Sequence, residues 1–295
     1  MRALKKALIS LICTIALLGV IIIGGYIFVR SKYGIDLFRT AGQLKVLSEK
    51  VDEGVLCPEA FGREDFDGLK LTLDSDLASG FISYAEGSGY DGYSIDYSAM
   101  DSIMDTSAFT SISISEKQTG ALGQLMFYEQ TDGGVISVSG KDLTATIKQI
   151  DFSNIDESGN ANLNIIVQID LTPFTSEMTG FPYSLFKKYI PDSLYVSSTV
   201  FIEKTDSAMA YKVSHEEFKI NNLTGDDTVD LFHTLDAVLK IGSAENLNLA
   251  IGEMVAQVLI GDSESSGFAY SLSSIFDTYN FKTIGDIDYF VIECN

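Results

Sequence analysis

The chain has 295 residues, of which 41 are acidic and 20 basic, and its formal net charge is −21. Such an acidic chain is repelled by phosphate backbones and anionic headgroups, which argues against a nucleic-acid-binding protein. Apolar residues make up 46% of the chain, which is enough for a folded core, so a disordered chain is not expected.

The first predicted element is a transmembrane helix at residues 7–29. This run contains no charged side chain, and at about 1.5 Å of rise per residue it is long enough to cross a hydrocarbon core of about 30 Å. It exceeds the apolar core of a cleavable signal peptide, and residues 26–30 offer no small-x-small cleavage site. We therefore expect a single-pass anchor within residues 1–30, with the membrane as its partner.

The orientation of this anchor follows from its flanks. Basic residues lie at both ends, so the positive-inside count is nearly balanced. The tail before residue 7 is short, as in a cytoplasmic stub, and long domains cross the membrane largely regardless of charge. We expect the rest of the chain, which carries 16 basic and 41 acidic side chains, to lie outside the cytoplasm at the cell membrane.

Residues 31–62 are predicted to connect the anchor to the folded domain. Apolar residues recur at helical spacing over residues 33–51, which predicts a juxtamembrane helix. Three leucines then alternate within residues 66–77, as in a short strand. Residues 79–106 are rich in Gly, Ser, Tyr and Asp and are predicted to form an irregular loop with room for one short helix.

The middle third begins with a strand at residues 109–113, followed by a helix. Ser115 and Gln118 have the S-x-x-Q spacing of a capping box, and Leu122, Leu125 and Met126 form the buried side of this helix. The alternation over residues 135–152 predicts one long strand with a bulge near Gly140.

The rest of the chain continues as strands and then as helices. A turn at residues 156–160 and a strand at 161–171 complete a hairpin. Later elements are a short helical piece at 181–191, strands at 194–203 and 210–223, helices at 228–241, 245–260 and 268–276, and a last strand at 286–292. The chain has no repeat, so residues 63–295 are predicted to form one α+β domain in which a curved, long-stranded antiparallel sheet packs with helices.

Catalytic motifs are incomplete. His215 and His233 have no local motif around them, and Lys219 stands where H-E-x-x-H requires its second histidine. Ser184 and Lys187 match S-x-x-K, but the companion motifs of serine acyl-transferases are missing. We therefore expect a protein that is not an enzyme and that carries no cofactor.

Two acidic segments and the cysteines leave alternatives open. Acidic side chains in the loop at 91–105 and in the turn at 156–160 are the ligand type that Ca²⁺ prefers, but no EF-hand register is present and solvated loops are favoured. Cys13 lies within the anchor. Cys57 and Cys294 can pair only if the chain ends meet, and two cysteines are not a disulfide framework.

The remaining distinctive feature is apolar. Long alternating strands and Leu-rich helices can enclose a lipid-sized cavity, as curved antiparallel sheets do, but the same pattern also describes a filled core. The residues expected to face this interior, and to line a groove if one exists, are Leu122, Leu125, Ile147, Ile150, Ile165, Val167 and Ile169.

Two short motifs carry a resemblance to a known family. The sequence ISEKQTGAL at residues 114–122 follows a predicted strand, and FPYSLFKKYIP at residues 181–191 precedes another. With its N-terminal anchor and paired strands, the chain here resembles the membrane-anchored YpmS family of Gram-positive bacteria, over roughly residues 109–204. That family is similar in architecture to tubular lipid-binding domains, so the resemblance implies a lipid groove and brings no catalytic residue. The chain departs from it by a longer N-terminal insertion and by helices after residue 224.

Three functions are compatible with these features. The first is a non-enzymatic single-pass protein whose outer domain binds a lipid or another envelope component in an apolar groove. The second is a scaffold or interaction protein of the cell envelope with a solid core, which makes protein contacts through its helices at residues 235–260. The third is a hydrolase with a dispersed carboxylate site. The first two differ in whether a cavity exists.

Overall fold

The computed structural model describes residues 37–71, 82–96, 111–138, 141–176, 190–205, 209–239, 243–262 and 267–294. The helices are α1 (Leu37–Ser48), α2 (Glu53–Leu56), α3 (Arg63–Leu71), α4 (Glu116–Gln130), α5 (Thr172–Thr175), α6 (Gly225–Leu239), α7 (Ala244–Leu259) and α8 (Phe268–Ser271). The strands are β1 (Ile82–Tyr84), β2 (Tyr93–Ile95), β3 (Ser111–Ser115), β4 (Val135–Val138), β5 (Lys141–Ser153), β6 (Ala161–Asp170), β7 (Ser193–Lys204), β8 (Tyr211–Ile220), β9 (Thr278–Ile284) and β10 (Ile287–Glu293).

A five-stranded antiparallel sheet with the order β4-β5-β6-β7-β8 forms the centre of the fold. Its pairing contains two bulges, at which Lys148 in β5 and Glu216 in β8 are the extra residues. Bulges bend a strand and increase its twist. The sheet therefore curls, and the structure confirms an α+β fold built on a curved antiparallel sheet.

One face of this sheet is continuously apolar. Along β6, alternate residues from Ala161 to Ile169 are buried on this face. On the opposite face Asn162, Asn164 and Gln168 are half-buried, and Ile166 is buried in a small separate cluster. Helix α4 packs on β5, and α7 packs on β7 and β8. The two helices also contact each other, so they cover the apolar face together.

A second, three-stranded sheet extends the same core. Its order is β3-β10-β9, with all pairs antiparallel. Phe281 and Phe290 lie between the two sheets: the ring centroids of Phe152 and Phe281 are 4.9 Å apart, and those of Phe281 and Phe290 are 5.5 Å apart. These rings join the described elements into one continuous hydrophobic core.

Helix α1 is part of this packing. Leu44 and Leu47 are buried, and the Asn221 side chain donates a 2.8 Å hydrogen bond to the Leu47 carbonyl oxygen. Gln43 donates to the Asp227 carbonyl oxygen at 3.1 Å, and Arg39 pairs with Asp230. The helix predicted within residues 33–51 is confirmed from Leu37 to Ser48, and its contacts fix it to the rest of the domain.

Several local predictions are confirmed. Ser115 and Gln118 form the expected capping box: Ser115 Oγ accepts from the Gln118 amide, and Gln118 Oε1 accepts from the Ser115 amide. Most of the other elements lie within a few residues of the positions that alternation and helical spacing predict. They are helix α4, the hairpin of β5 and β6, strands β7, β8 and β10, and helices α6 and α7.

Two predictions were wrong in their described parts. Residues 63–71 form helix α3 and not a strand, because Phe66 and Leu69, three residues apart, are the buried pair. The strand expected over residues 135–152 is two strands that pair with each other, Val138 opposite Lys141. The interruption of the apolar–polar alternation near Gly140 therefore reflects a reversal of the chain between Val138 and Lys141. The bulge lies at Lys148 instead.

Five elements were not foreseen. The four-residue helices α2 and α5 lie in segments for which no element was expected, and strands β1 and β2 form a hairpin in the stretch expected to be loop. Strand β9 follows a helix α8 that ends at Ser271, whereas a helix was expected over 268–276. In the part of the chain that the structure describes, no helix is long and apolar enough to cross a membrane. The expected anchor at 7–29 lies outside the described residues, as do residues 181–189 of the helical piece expected at 181–191.

Candidate functional site

The seven residues expected to face the apolar interior are all buried. Leu122 and Leu125 come from α4, Ile147 and Ile150 from β5, and Ile165, Val167 and Ile169 from β6; none is more than 8% exposed. Their burial agrees with the alternation in the sequence. Whether they form a groove depends on the space between them.

Three of the seven residues line an apolar cavity between the sheet and its two helices. Ile147, Val167 and Ile169 form its floor, and Phe127 of α4 and Ile251 of α7 are among the residues that close it. The volume that the centre of a water-sized sphere can occupy inside this cavity is about 20 Å³. A single water needs about 10–15 Å³ by the same measure, so the cavity has room for about one water molecule and is too small for a lipid chain.

A buried asparagine fixes helix α7 to the sheet. Asn248 is completely buried; its Nδ2 donates to the Thr199 carbonyl oxygen at 2.8 Å, and its Oδ1 accepts from Ser198 Oγ at 2.5 Å. The same Nδ2 lies 2.6 Å from His215 Nδ1. Because an amide nitrogen can only donate, Nδ1 is the acceptor and the neutral imidazole carries its proton on Nε2. His215 thus has a structural partner, whereas His233 is exposed.

A glycine one turn further along α7 brings the helix close to β7. A Cβ atom at Gly252 would lie 2.5 Å and 2.7 Å from the two Cγ atoms of Val200. Asn248 and Gly252 are four residues apart, so they lie on the same face of the helix. One provides hydrogen bonds to the sheet and the other allows close contact, and together they hold α7 over the cavity.

The acidic segments show no ion site in the described residues, where no group of three or more His, Cys, Asp or Glu could hold a metal. In the turn at 156–160, the Asp156 carboxylate accepts from the Asn160 side chain at 2.8 Å and from the amides of Ser158 and Asn160 at 2.8 Å and 3.0 Å. These bonds hold the pKa of Asp156 below its usual value. The carboxylate therefore stabilises its own turn.

The two cysteines of the folded part do not pair in the structure. Cys57 is buried against Ile166 and Tyr195 on the polar side of the sheet, whereas Cys294 is exposed and its Sγ donates to the Ile275 carbonyl oxygen at 3.3 Å. Both thiols are free. Burial raises the pKa of the Cys57 thiol to about 11.

This difference predicts selective alkylation. Because the thiolate is the reactive form, and both burial and the raised pKa suppress it at Cys57, iodoacetamide at pH 8 is expected to modify Cys294 at least about tenfold faster. Mass spectrometry of proteolytic peptides quantifies each cysteine, Cys13 included. Unfolding the chain in denaturant should make the rates at Cys57 and Cys294 similar. Equal rates in the folded chain would contradict the burial of Cys57.

Comparison with known proteins gives no match: no family model, no curated protein and no solved structure is significantly similar to this chain. The function must therefore be argued from the residues and geometry of the chain itself.

Proposed function

We propose that this chain is a non-enzymatic binding protein of the cell envelope. Residues 7–29 anchor it in the cell membrane as a single helix, and its α+β domain lies outside the cytoplasm. Helix α1 begins at Leu37 and is packed into the domain. The seven residues from 30 to 36 span about 25 Å at most when extended, so the domain stays close to the membrane surface.

The observation that carries this proposal is the filled apolar face of the curved sheet. Helices α4 and α7 cover that face, and the space left between them is about 20 Å³. A domain with such a core has no ready compartment for a lipid. Its contacts with other envelope components are then made by its outer surface, as in the scaffold or interaction protein considered from the sequence.

A lipid-binding protein is the second candidate. In its favour, the cavity is lined only by apolar side chains, three of which belong to the seven groove candidates. The resemblance to YpmS-like proteins with tubular lipid-binding architecture points the same way. Against it, the space between the sheet and its helices is too small for a lipid unless a covering helix moves, and moving α7 breaks the hydrogen bonds of Asn248 to Ser198 and Thr199. No arrangement of the described residues favours the hydrolase.

A tryptophan reporter separates the two candidates. The chain has no tryptophan, so Phe127→Trp places a single fluorophore at the wall of the cavity, where its three additional heavy atoms take up part of the free space. His233→Trp places one on the exposed surface of α6 as a control. The full chain is reconstituted in nanodiscs and titrated with a brominated fatty acid, because bromine quenches tryptophan fluorescence on contact.

A filled core predicts that the buried Phe127→Trp reporter is quenched no more than the exposed His233→Trp reporter, because bromine must reach the ring. Quenching that is selective for the Phe127→Trp protein and saturates at one fatty acid per chain would overturn the proposal and establish the lipid-binding candidate. Circular dichroism of both variants shows whether the reporter has disturbed the fold.

A further inference from the structure

A second concave region lies outside the covered face of the sheet, between the connector after α2 and the β1–β2 hairpin. It consists of two lobes that share Phe61 and Tyr90 as a common wall. One lobe, of about 300 Å³, is bounded by Glu53, Cys57 and Lys148, and the other, of about 360 Å³, by Arg63, Asp91 and Tyr93. We call the two lobes together the aromatic cleft.

The hairpin places Tyr90 at this wall. Asp91 and Gly92 form a two-residue turn: the Tyr90 and Tyr93 amides donate to each other's carbonyl oxygens at 2.9 Å and 2.8 Å. Both turn residues have positive φ, 50° and 92°, as a type I′ turn requires. A Cβ atom at Gly92 would lie 2.6 Å from the Tyr84 ring, so this position needs glycine.

Two further aromatic rings contact the wall. Phe66 is 4% exposed, and its ring centroid lies 5.6 Å from that of Phe61 and 5.9 Å from that of Tyr90. Tyr128 of α4 meets the Tyr90 ring edge-on at 5.7 Å. Phe61 and Tyr90 themselves are only half-buried. Two aromatic rings are thus held in fixed positions, and each has part of its surface in the cleft.

Each lobe carries one acid and one base. Glu53 pairs with Lys148, with 3.7 Å between the carboxylate oxygen and Nζ. In the other lobe, Asp91 lies at the turn and the Arg63 guanidinium lies 5.2 Å from the centre of the Tyr84 ring. The cleft is therefore formally neutral, although residues 31–295 as a whole carry far more acid than base.

We infer that the aromatic cleft binds an uncharged glycan chain. Sugar hydroxyls both donate and accept hydrogen bonds, which suits lobes that each contain a carboxylate and an ammonium or guanidinium group. The C–H faces of sugar rings pack on fixed aromatic rings such as Phe61 and Tyr90. Ligand pockets usually measure about 300–1,000 Å³, so two joined lobes suit several sugar units in a row.

Other ligand classes fit less well. A polyanion is repelled by the acidic domain, and a lipid chain requires a continuous apolar wall, whereas charged groups interrupt both lobes. The inference rests on the proposed function, because it names the ligand class and the surface through which the binding protein acts.

The test uses the full chain in nanodiscs and isothermal titration calorimetry with neutral hexasaccharides that contain glucose or N-acetylglucosamine. An uncharged hexapeptide serves as the alternative ligand. Two variants address the cleft: Tyr90→Ala removes one ring of the wall, and Asp91→Asn removes a charge and keeps a residue type that tolerates positive φ. Tyr270→Ala is the matched control, because Tyr270 is a half-buried tyrosine on α8 that lines neither lobe.

We expect at least one hexasaccharide to bind, with a dissociation constant that rises about tenfold in Tyr90→Ala, as for loss of a central aromatic contact. Asp91→Asn should weaken binding less, and Tyr270→Ala should leave it unchanged. The inference is overturned if the folded chain binds no hexasaccharide, if the peptide binds better, or if neither cleft variant alters the affinity.

The failure of this inference differs from the failure of the proposed function. A chain that binds no glycan, and whose Phe127→Trp reporter is not selectively quenched by the fatty acid, overturns the aromatic cleft alone. A chain that binds the glycan and releases shorter sugars from it supports the ligand class but overturns a non-enzymatic role.

Discussion

The variant Asn248→Leu is expected to lower the free energy of unfolding by about 3 kcal/mol. Leucine has nearly the same size, so the loss arises from hydrogen bonds and not from a cavity. The Thr199 carbonyl oxygen and His215 Nδ1 lose their bonds to the Asn248 side chain, and Ser198 Oγ keeps only its 3.4 Å bond to the backbone carbonyl oxygen at position 248. An unsatisfied buried polar group costs about 1–3 kcal/mol, and the half-buried His215 regains part of its loss from water.

The measurement is urea denaturation of the full chain in a mild detergent, followed by circular dichroism. Asn246→Leu is the matched control, because Asn246 is exposed on the same helix two residues earlier. Exposed substitutions of this kind change stability by about 0.5 kcal/mol or less. If both variants have the same midpoint, Asn248 does not fix α7 to the sheet.

The stability of the Asn248→Leu variant also bears on the choice between a lipid-binding protein and a filled core. The lipid-binding candidate requires a covering helix to leave the sheet, and α7 is one of the two, whereas a filled core requires that both helices stay. A large loss in Asn248→Leu shows that separating α7 from β7 is costly, which favours binding through the outer surface. A negligible loss shows that α7 is weakly held and that the cavity can widen.

Much of the fold could be read from local signals. The capping box needs only two side chains three residues apart, and Ser115 and Gln118 meet that condition wherever the helix packs. Alternation identified β6 and β7 because one face of the sheet is buried and the other is not. The same signal failed at residues 135–152, since a change of phase in the alternation is produced equally by a bulge and by a chain reversal.

The candidate sites were harder to foresee. Asn248 stands beside apolar residues of α7, and such a position hints at a buried polar group, but its partners are 33 to 50 residues away in the chain. Phe61 and Tyr90 come from two segments that alternation and helical spacing do not connect. The one local signal was Asp91-Gly92, which is typical of a tight hairpin turn.

The variant Gly252→Ala is expected to lower the free energy of unfolding by about 2 kcal/mol. Its methyl group would lie within 2.5 to 3.0 Å of three side-chain atoms of Val200, which is too close for van der Waals contact. Forcing extra atoms into a packed core costs about 1–3 kcal/mol or more. Alanine recovers up to about 1 kcal/mol through its higher helix propensity, so the net effect is a loss.

A double-mutant cycle with Val200→Ala identifies the cause. Val200→Ala alone is destabilising because it removes buried methyl groups, but it also vacates the space that the alanine at position 252 needs. The double variant should therefore be more stable than the sum of the two single effects predicts, by about 1–2 kcal/mol. Strict additivity would show that Gly252 and Val200 are not in contact.

Gly42→Ala provides the opposite case in the same protein. Gly42 lies inside helix α1, and no atom is within 4 Å of the position of its missing Cβ. The same substitution is therefore expected to stabilise the chain by up to about 1 kcal/mol. Opposite signs at these two helical glycines would show that α7, unlike the exposed side of α1, is held in direct contact with the sheet. Stabilisation at both positions would mean that space exists between α7 and β7, and the lipid-binding candidate would then be favoured over a filled core.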